Sequence, residues 1–216
     1  VGVDFTLFVT TFATLFAICN PLGNAAIFLS ITTGEKSEER QKQAFMGSVY
    51  MLAILLAFFF FGTAIMNFFG LSLPGIRIAG GLVIMKIGFN LLTPQPDHNH
   101  SEEEHKEAVK KPDISFSPLA MPLLSGPGSI AAVIGLTALH RTFTPWDYGQ
   151  MLGAIVAVVV LCWVILANSE RLLAVLGVNG ANALTKIMGF ILLCIGVQLN
   201  IAGITELVQG FQHPAA

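Results

Sequence analysis

The residues Ala17-Ile18-Cys19-Asn20-Pro21-Leu22-Gly23-Asn24 stand in the middle of one long apolar run, and Leu124-Ser125-Gly126-Pro127-Gly128-Ser129-Ile130 stand in the middle of another. Both stretches put helix-breaking chemistry where a continuous helix is otherwise expected. Proline has no N–H and clashes with the preceding turn, and it pushes the residue before it away from helical dihedrals. Glycine tolerates the backbone angles that follow. Pro118 and Pro122 precede the second motif, so that stretch is expected to be still less helical. Unpaired backbone groups are costly at membrane depth unless they face protein or a wet cavity. Two such breaks therefore point to one central site between them.

Outward from these motifs the chain reads as six hydrophobic segments, at about 4–31, 43–69, 74–93, 115–139, 148–168 and 183–208. Each reaches the roughly 20 residues that cross a bilayer core as helix. None shows the period-two alternation of a membrane barrel. Composition agrees: 54% of residues are hydrophobic and 11% charged, against about 25% charged in a soluble domain. The charge is gathered between the runs. No basic residues precede the first run, which is too long for a cleaved leader and reads as a retained span.

The connections set the topology. Residues 34–42 (GEKSEERQK) form a charged turn, and residues 94–113 form a polar linker bounded by prolines. Residues 140–147 carry Trp146, placed as an interfacial anchor, and 169–182 suit a short surface helix. Lys36, Arg40, Lys42, Lys106, Lys110, Lys111 and Arg171 fall on one side, against Arg141 on the other, with Arg77 just inside the third span. By the positive-inside rule the first side, with linker 94–113, is expected to be cytoplasmic and both termini outside.

The halves resemble each other. Pro21 and Pro127 lie 106 positions apart, and Gly81-to-Asn90 matches Gly189-to-Gln198 at a shift of 108. Three spans per half is an odd number, so two such halves must point in opposite directions. The expected architecture is an all-α membrane protein of six transmembrane helices in two inverted three-helix repeats, with helices 1 and 4 broken near the bilayer midplane. The first repeat occupies 1–93, a polar cytoplasmic linker 94–114, and the second repeat 115–216. Inverted repeats of this kind recur in secondary transporters.

At the breaks, half-helix N-termini would offer N–H groups and positive dipole ends to a carboxylate. Free carbonyls and the side chains of Asn20, Asn24, Ser125 and Ser129 would accept from an ammonium, so the site suits a small zwitterion. Asn90 and Gln198, at equivalent positions beyond the small-residue faces of segments three and six, are candidates for a supporting shell, either as interhelical hydrogen bonds or as substrate contacts.

Other groups read as structural. Cys19, Cys162 and Cys194 match no zinc or disulfide spacing and are expected to be small buried residues. Lys86 is expected to snorkel, and Arg77 and Lys186 to anchor span ends. No carboxylate lies near a bilayer centre. Proton coupling would need another group, or a coupling ion, H+ or Na+, could be held by neutral oxygens. His98, His100 and His105 sit in the acidic linker and read as solvated. No metal site, cofactor, nucleophile–base pair or phosphate loop is expected, and a net charge of −2 without a basic arm excludes a nucleic-acid partner.

The stretches FAICNPLGNAAIFLSIT (16–32), RIAGGLVIMKIGFNLL (77–92), SPLAMPLLSGPGSIAAVI (117–134) and KIMGFILLCIGVQL (186–199) resemble the MarC family of six-span inner-membrane proteins over nearly the whole chain. That family includes SnatA-type carriers of glycine, alanine and other small neutral amino acids, and is grouped broadly with LysE-type exporters. The resemblance implies substrate between broken helices one and four. Carried over, the site residues are Asn20, Pro21, Gly23, Asn24, Ser125, Gly126, Pro127, Gly128 and Ser129. A drug or metabolite exporter and a channel-like pore are the alternatives. A membrane-embedded enzyme lacks visible catalytic groups.

Overall fold

The computed structural model describes residues 5–93, 113–138 and 144–212. Those residues form eight helical pieces and no strand: α1 Thr6–Cys19, α2 Pro21–Ile31, α3 Ser37–Phe68, α4 Leu73–Leu92, α5 Ser115–Leu124, α6 Pro127–Ala138, α7 Pro145–Ala167 and α8 Ser169–Gln212. Five stretches are long and apolar enough to cross a membrane, with α1 and α2 counted together, and the bent pair α5–α6 makes a sixth if taken as one span. The surface is as apolar as such a chain requires. Phe61, Phe68, Phe69 and Phe190 are all exposed, a pattern that suits lipid rather than water. The linker histidines His98, His100 and His105, like Arg141, lie outside the described residues.

Helix boundaries follow caps more than hydropathy. The helix α3 starts at Ser37, six residues before the apolar run expected at 43, and carries Glu38 and Glu39 in its first turn. Acidic residues there favour the positive end of the helix dipole, so most of the charged turn is helix. Likewise α7 starts at Pro145 rather than 148, because Thr144 and Asp147 form a capping box around it. The first part of α8, residues 169–176, is set off by Gly177, whose φ of 65° breaks the helix before Asn179–Gly210, the part long and apolar enough to cross a membrane.

Arg40 fastens one end of the bundle. Its guanidinium donates to Thr32 Oγ1 at 3.0 Å and to the Thr32 carbonyl at 3.2 Å, and it pairs with Glu170. The last turn of α2 is thereby tied to the start of α8. At the entry to α5, the Ser115 N–H donates to Asp113 Oδ1 at 2.8 Å. The Ser115 hydrogen bonds hold the Asp113 carboxyl below its ordinary pKa.

The helices α4 and α8 cross antiparallel at very close range. A Cβ added at Gly81 would stand 2.7 Å from the Gly196 carbonyl, and one at Gly88 would stand 2.7 Å from the Gly189 carbonyl. Only glycine at these points lets the two backbones touch. The fully buried core is built mainly by the other helices, from Leu15, Phe28, Met51, Leu55, Leu119, Leu124, Met151 and Ile155, and the pair adds Ile84 to it.

Three expectations need correcting. Cys194 is exposed, while Cys19 and Cys162 are buried; a span that is apolar all round carries no signal of which side a cysteine faces. Arg77 is not an interfacial anchor. It is 7% exposed and paired with Glu206. Asn90 and Gln198 do not share one shell, as the cavities below make plain.

Candidate functional site

The two proline–glycine motifs meet. The first helix ends at Asn20, whose φ of 38° and ψ of 57° are left-handed, a conformation asparagine tolerates better than most residues. Asn20 closes α1 by donating its N–H to the Phe16 carbonyl at 3.1 Å. It opens α2 as well, with Oδ1 accepting from the Gly23 N–H at 3.4 Å. One residue therefore caps two helices, and Pro21 begins the second where a missing N–H costs nothing.

The second motif is arranged differently. Ser117 and Met121, each before a proline, are extended (φ −132° and −135°), so α5 is irregularly wound. It meets α6 at a bend of 57°. Pro127 starts α6, and Gly126 sits so close to the preceding chain that a Cβ would be 2.7 Å from the Pro122 carbonyl.

Asn24 joins the two. Its Nδ2 donates to the Cys19 carbonyl at 2.8 Å and to the Leu123 carbonyl at 3.0 Å. These carbonyls lie where α1 and α5 run out, and would otherwise lack partners. Ser129 Oγ donates to the Leu124 carbonyl at 3.2 Å and lies 3.7 Å from Cys19 Sγ. Ser125 Oγ is buried with no partner.

Beside this junction is a cavity of about 480 Å³, lined by Asn20, Asn24, Gly126, Pro127, Gly128 and Ser129 together with Asn90, Thr93 and Thr185 and the apolar Ile18, Ile87, Leu91, Pro122 and Leu123. Six of the nine expected site residues thus line one cavity. Pro21, Gly23 and Ser125 do not line it. The N-terminus of α6 borders it directly, and Asn20 brings that of α2 to its edge. First-turn N–H groups have no intrahelical partner, so the cavity can receive a carboxylate. Thr185 and Thr93 are additions that sequence reasoning missed, since a lone threonine near a span end carries no signal.

A second cavity, of about 310 Å³, lies toward the other end of α4. Thr10, Thr14, Arg77 and Gln198 line it with Ala132, Leu136, Ile195, Leu199 and Ala202. Gln198 is therefore assigned here, and Asn90 to the first cavity. Lys86 is exposed and lines neither. Among the described residues no cluster of side chains is able to hold a metal ion.

Against known proteins, a family model described as "MarC family integral membrane protein" matches residues 5–208. The chain is 37% identical over 206 residues to the inner membrane protein MarC of Salmonella typhimurium, covering 91% of this chain and 93% of that one. It is 38% identical over 208 residues to the inner membrane protein MarC of Escherichia coli strain SMS-3-5, with the same coverage. No solved structure matches it.

Proposed function

Because the chain belongs to the MarC family of integral membrane proteins, we propose that it is a secondary transporter of small neutral amino acids, such as glycine and alanine, working by alternating access. The observation that carries this reading is the convergence of two interrupted helices on one cavity. N–H groups at the start of α6 face a carboxylate, and the oxygens of Asn20, Ser129 and Thr185 are at hand for an ammonium. The reading is a carrier rather than an enzyme, one that works without a cofactor or covalent chemistry. A coupling ion, H+ or Na+, would be held by neutral oxygens of the same kind.

An inverted repeat, with both interruptions near the bilayer midplane, supports alternation. Glycine contacts between α4 and α8 have the form that a two-fold axis in the membrane plane would give. Shifting Gly81 and Gly88 by 108 positions yields Gly189 and Gly196, and each glycine meets the counterpart of the other. The cavities follow the same relation. Ile87, Asn90 and Leu91 in the first correspond to Ile195, Gln198 and Leu199 in the second, and Thr185 corresponds to Arg77. In this arrangement the first cavity opens to the cytoplasm and the second to the outside. Linker 94–113 is cytoplasmic and the termini are external, in the inner membrane that the relatives' names give for them.

The apolar walls of the first cavity keep one second reading open, an exporter of larger apolar compounds. Labelled-glycine counterflow in liposomes holding the purified protein separates the two, with alanine, leucine and a lipophilic cation as competitors. Saturable counterflow blocked by alanine is expected. A Gly128→Val variant should abolish it while remaining folded, because even a Cβ there stands 3.1 Å from Ile87 and 3.3 Å from Ile18. No counterflow above empty liposomes would discard the substrate assignment, and inhibition by the lipophilic cation alone would favour the exporter.

A further inference from the structure

We propose that the second cavity is a carboxylate-binding site in its own right, with the Arg77 guanidinium as the group that receives the anion. The proposal rests on the transport reading only for the expectation that the carboxylate belongs to a small amino acid; the site itself stands on geometry.

Arg77 lies within α4, 7% exposed, and lines the cavity. A guanidinium inside a span is costly, and such groups commonly mark ligand or ion paths. It has five N–H donors. Its ion pair with Glu206 engages Nη1, while Nε is buried with no partner. An unsatisfied buried donor costs about 1–3 kcal/mol. Ion pairing to one carboxylate therefore does not exhaust what this side chain can hold. Planar, bidentate recognition of a second carboxylate is the chemistry for which arginine is best suited.

Packing does not require the cation. The corresponding position in the other half is Thr185, a small neutral residue lining the corresponding cavity. Two related helix faces thus present threonine to one cavity and arginine to the other. Glu206 apart, the polar side chains that line the space with Arg77 are neutral: Thr10, Thr14 and Gln198. The remaining wall, Ala132, Leu136, Ile195, Leu199 and Ala202, accepts a short aliphatic side chain. The volume lies at the small end of ligand pockets, about 300–1,000 Å³. A small monocarboxylate or α-amino acid fits this chemistry, and an organic cation without a carboxylate does not.

Ala202→Cys, in a chain whose three cysteines are replaced by alanine, puts a reporter in the cavity wall. Its rate of modification by an uncharged maleimide would be measured in lipid nanodiscs, with acetate, glycine or ethylammonium as protectant. Saturating acetate and saturating glycine are each expected to slow the reaction at least threefold, and ethylammonium to leave it unchanged. The double variant Arg77→Gln/Glu206→Gln removes both charges together, so no unpaired buried ion is left to unfold the protein; it should lose the protection. Protection should survive Gly128→Val, which fills the other cavity, so a failed transport reading and a failed Arg77 site give different results. The proposal is overturned if neither acetate nor glycine protects, if the double variant is still protected, or if Gly128→Val removes the effect. Protection by glycine but not acetate also overturns it, since the carboxylate would then not be the group recognised.

Discussion

Asn20 shows how much a single residue can be asked to do at an interruption. It holds a left-handed backbone, ends one helix and caps the next. These duties separate under substitution. Asn20→Gly keeps the dihedrals at no steric cost and loses the side-chain acceptor, which glycine replaces at a few tenths of a kcal/mol in ordinary N-caps. Asn20→Ala adds the left-handed penalty of about 1–2 kcal/mol to a cap loss of about 1 kcal/mol. Thermal unfolding in detergent should therefore rank wild type close to Asn20→Gly and both well above Asn20→Ala. Equal losses in the two variants would mean that the side-chain hydrogen bond, rather than the backbone conformation, is what matters. The break at this residue was legible in advance, from the proline after it and the glycine beyond; its left-handed backbone and its two caps were not. Asn24 was legible only as a polar side chain. That its amide spans the carbonyls of Cys19 and Leu123 depends on residues 99 positions apart, which no local pattern reveals.

The pairing of α4 with α8 is the most extensive contact between the two halves of the chain. Four glycines place each backbone against the other, and a Cβ at Gly196 would stand 2.7 Å from the Gly81 carbonyl and 3.0 Å from the Met85 nitrogen. Neither neighbour is a flexible side chain that can swing away. Overpacking a tight core costs about 1–3 kcal/mol where the structure can adjust, and backbone contacts adjust least. Gly196→Val is expected to lower the yield of monodisperse protein on size exclusion and its melting temperature together. Gly149→Ala in α7 is the matched control. Nothing lies within 4 Å of a Cβ there, and alanine is the better helix former by about 1 kcal/mol, so its stability should hold or rise. Indifference at Gly196 would mean that the close crossing is not what binds the halves. Small residues at these positions announce the contact in the sequence. The hydropathy windows announce the spans, but not the helix starts, because Thr144 with Asp147 and the acidic turn at Glu38 lie outside the apolar runs.

Across the whole molecule, sequence reading did not separate Asn90 from Gln198. They are equivalent by position, yet they line different cavities; under the proposed inversion a two-fold axis in the membrane plane would send equivalent residues to opposite faces. On the antiparallel pair, Gly88 meets Gly189 and Gly81 meets Gly196. Asn90 therefore lies beyond one crossing point toward the end of α4, and Gln198 beyond the other toward its start. Thr93 and Arg77, which line the two cavities, are separated along α4 by about 24 Å at about 1.5 Å per residue, most of a bilayer core. Arg77 went unread for a related reason: its partner Glu206 is 129 positions away, and proximity to a span end looked sufficient to explain it. The same geometry gives a test of alternation that needs no substrate. In membrane vesicles of known orientation, with the native cysteines replaced, Asn90→Cys should react with a membrane-impermeant thiol reagent from the cytoplasmic face and Gln198→Cys from the opposite face. Reaction of both from one face would remove the inverted arrangement, and with it the expectation that the cavities serve opposite sides. A clean reversal of the two faces would keep the inversion and overturn only the orientation drawn from the lysines and arginines.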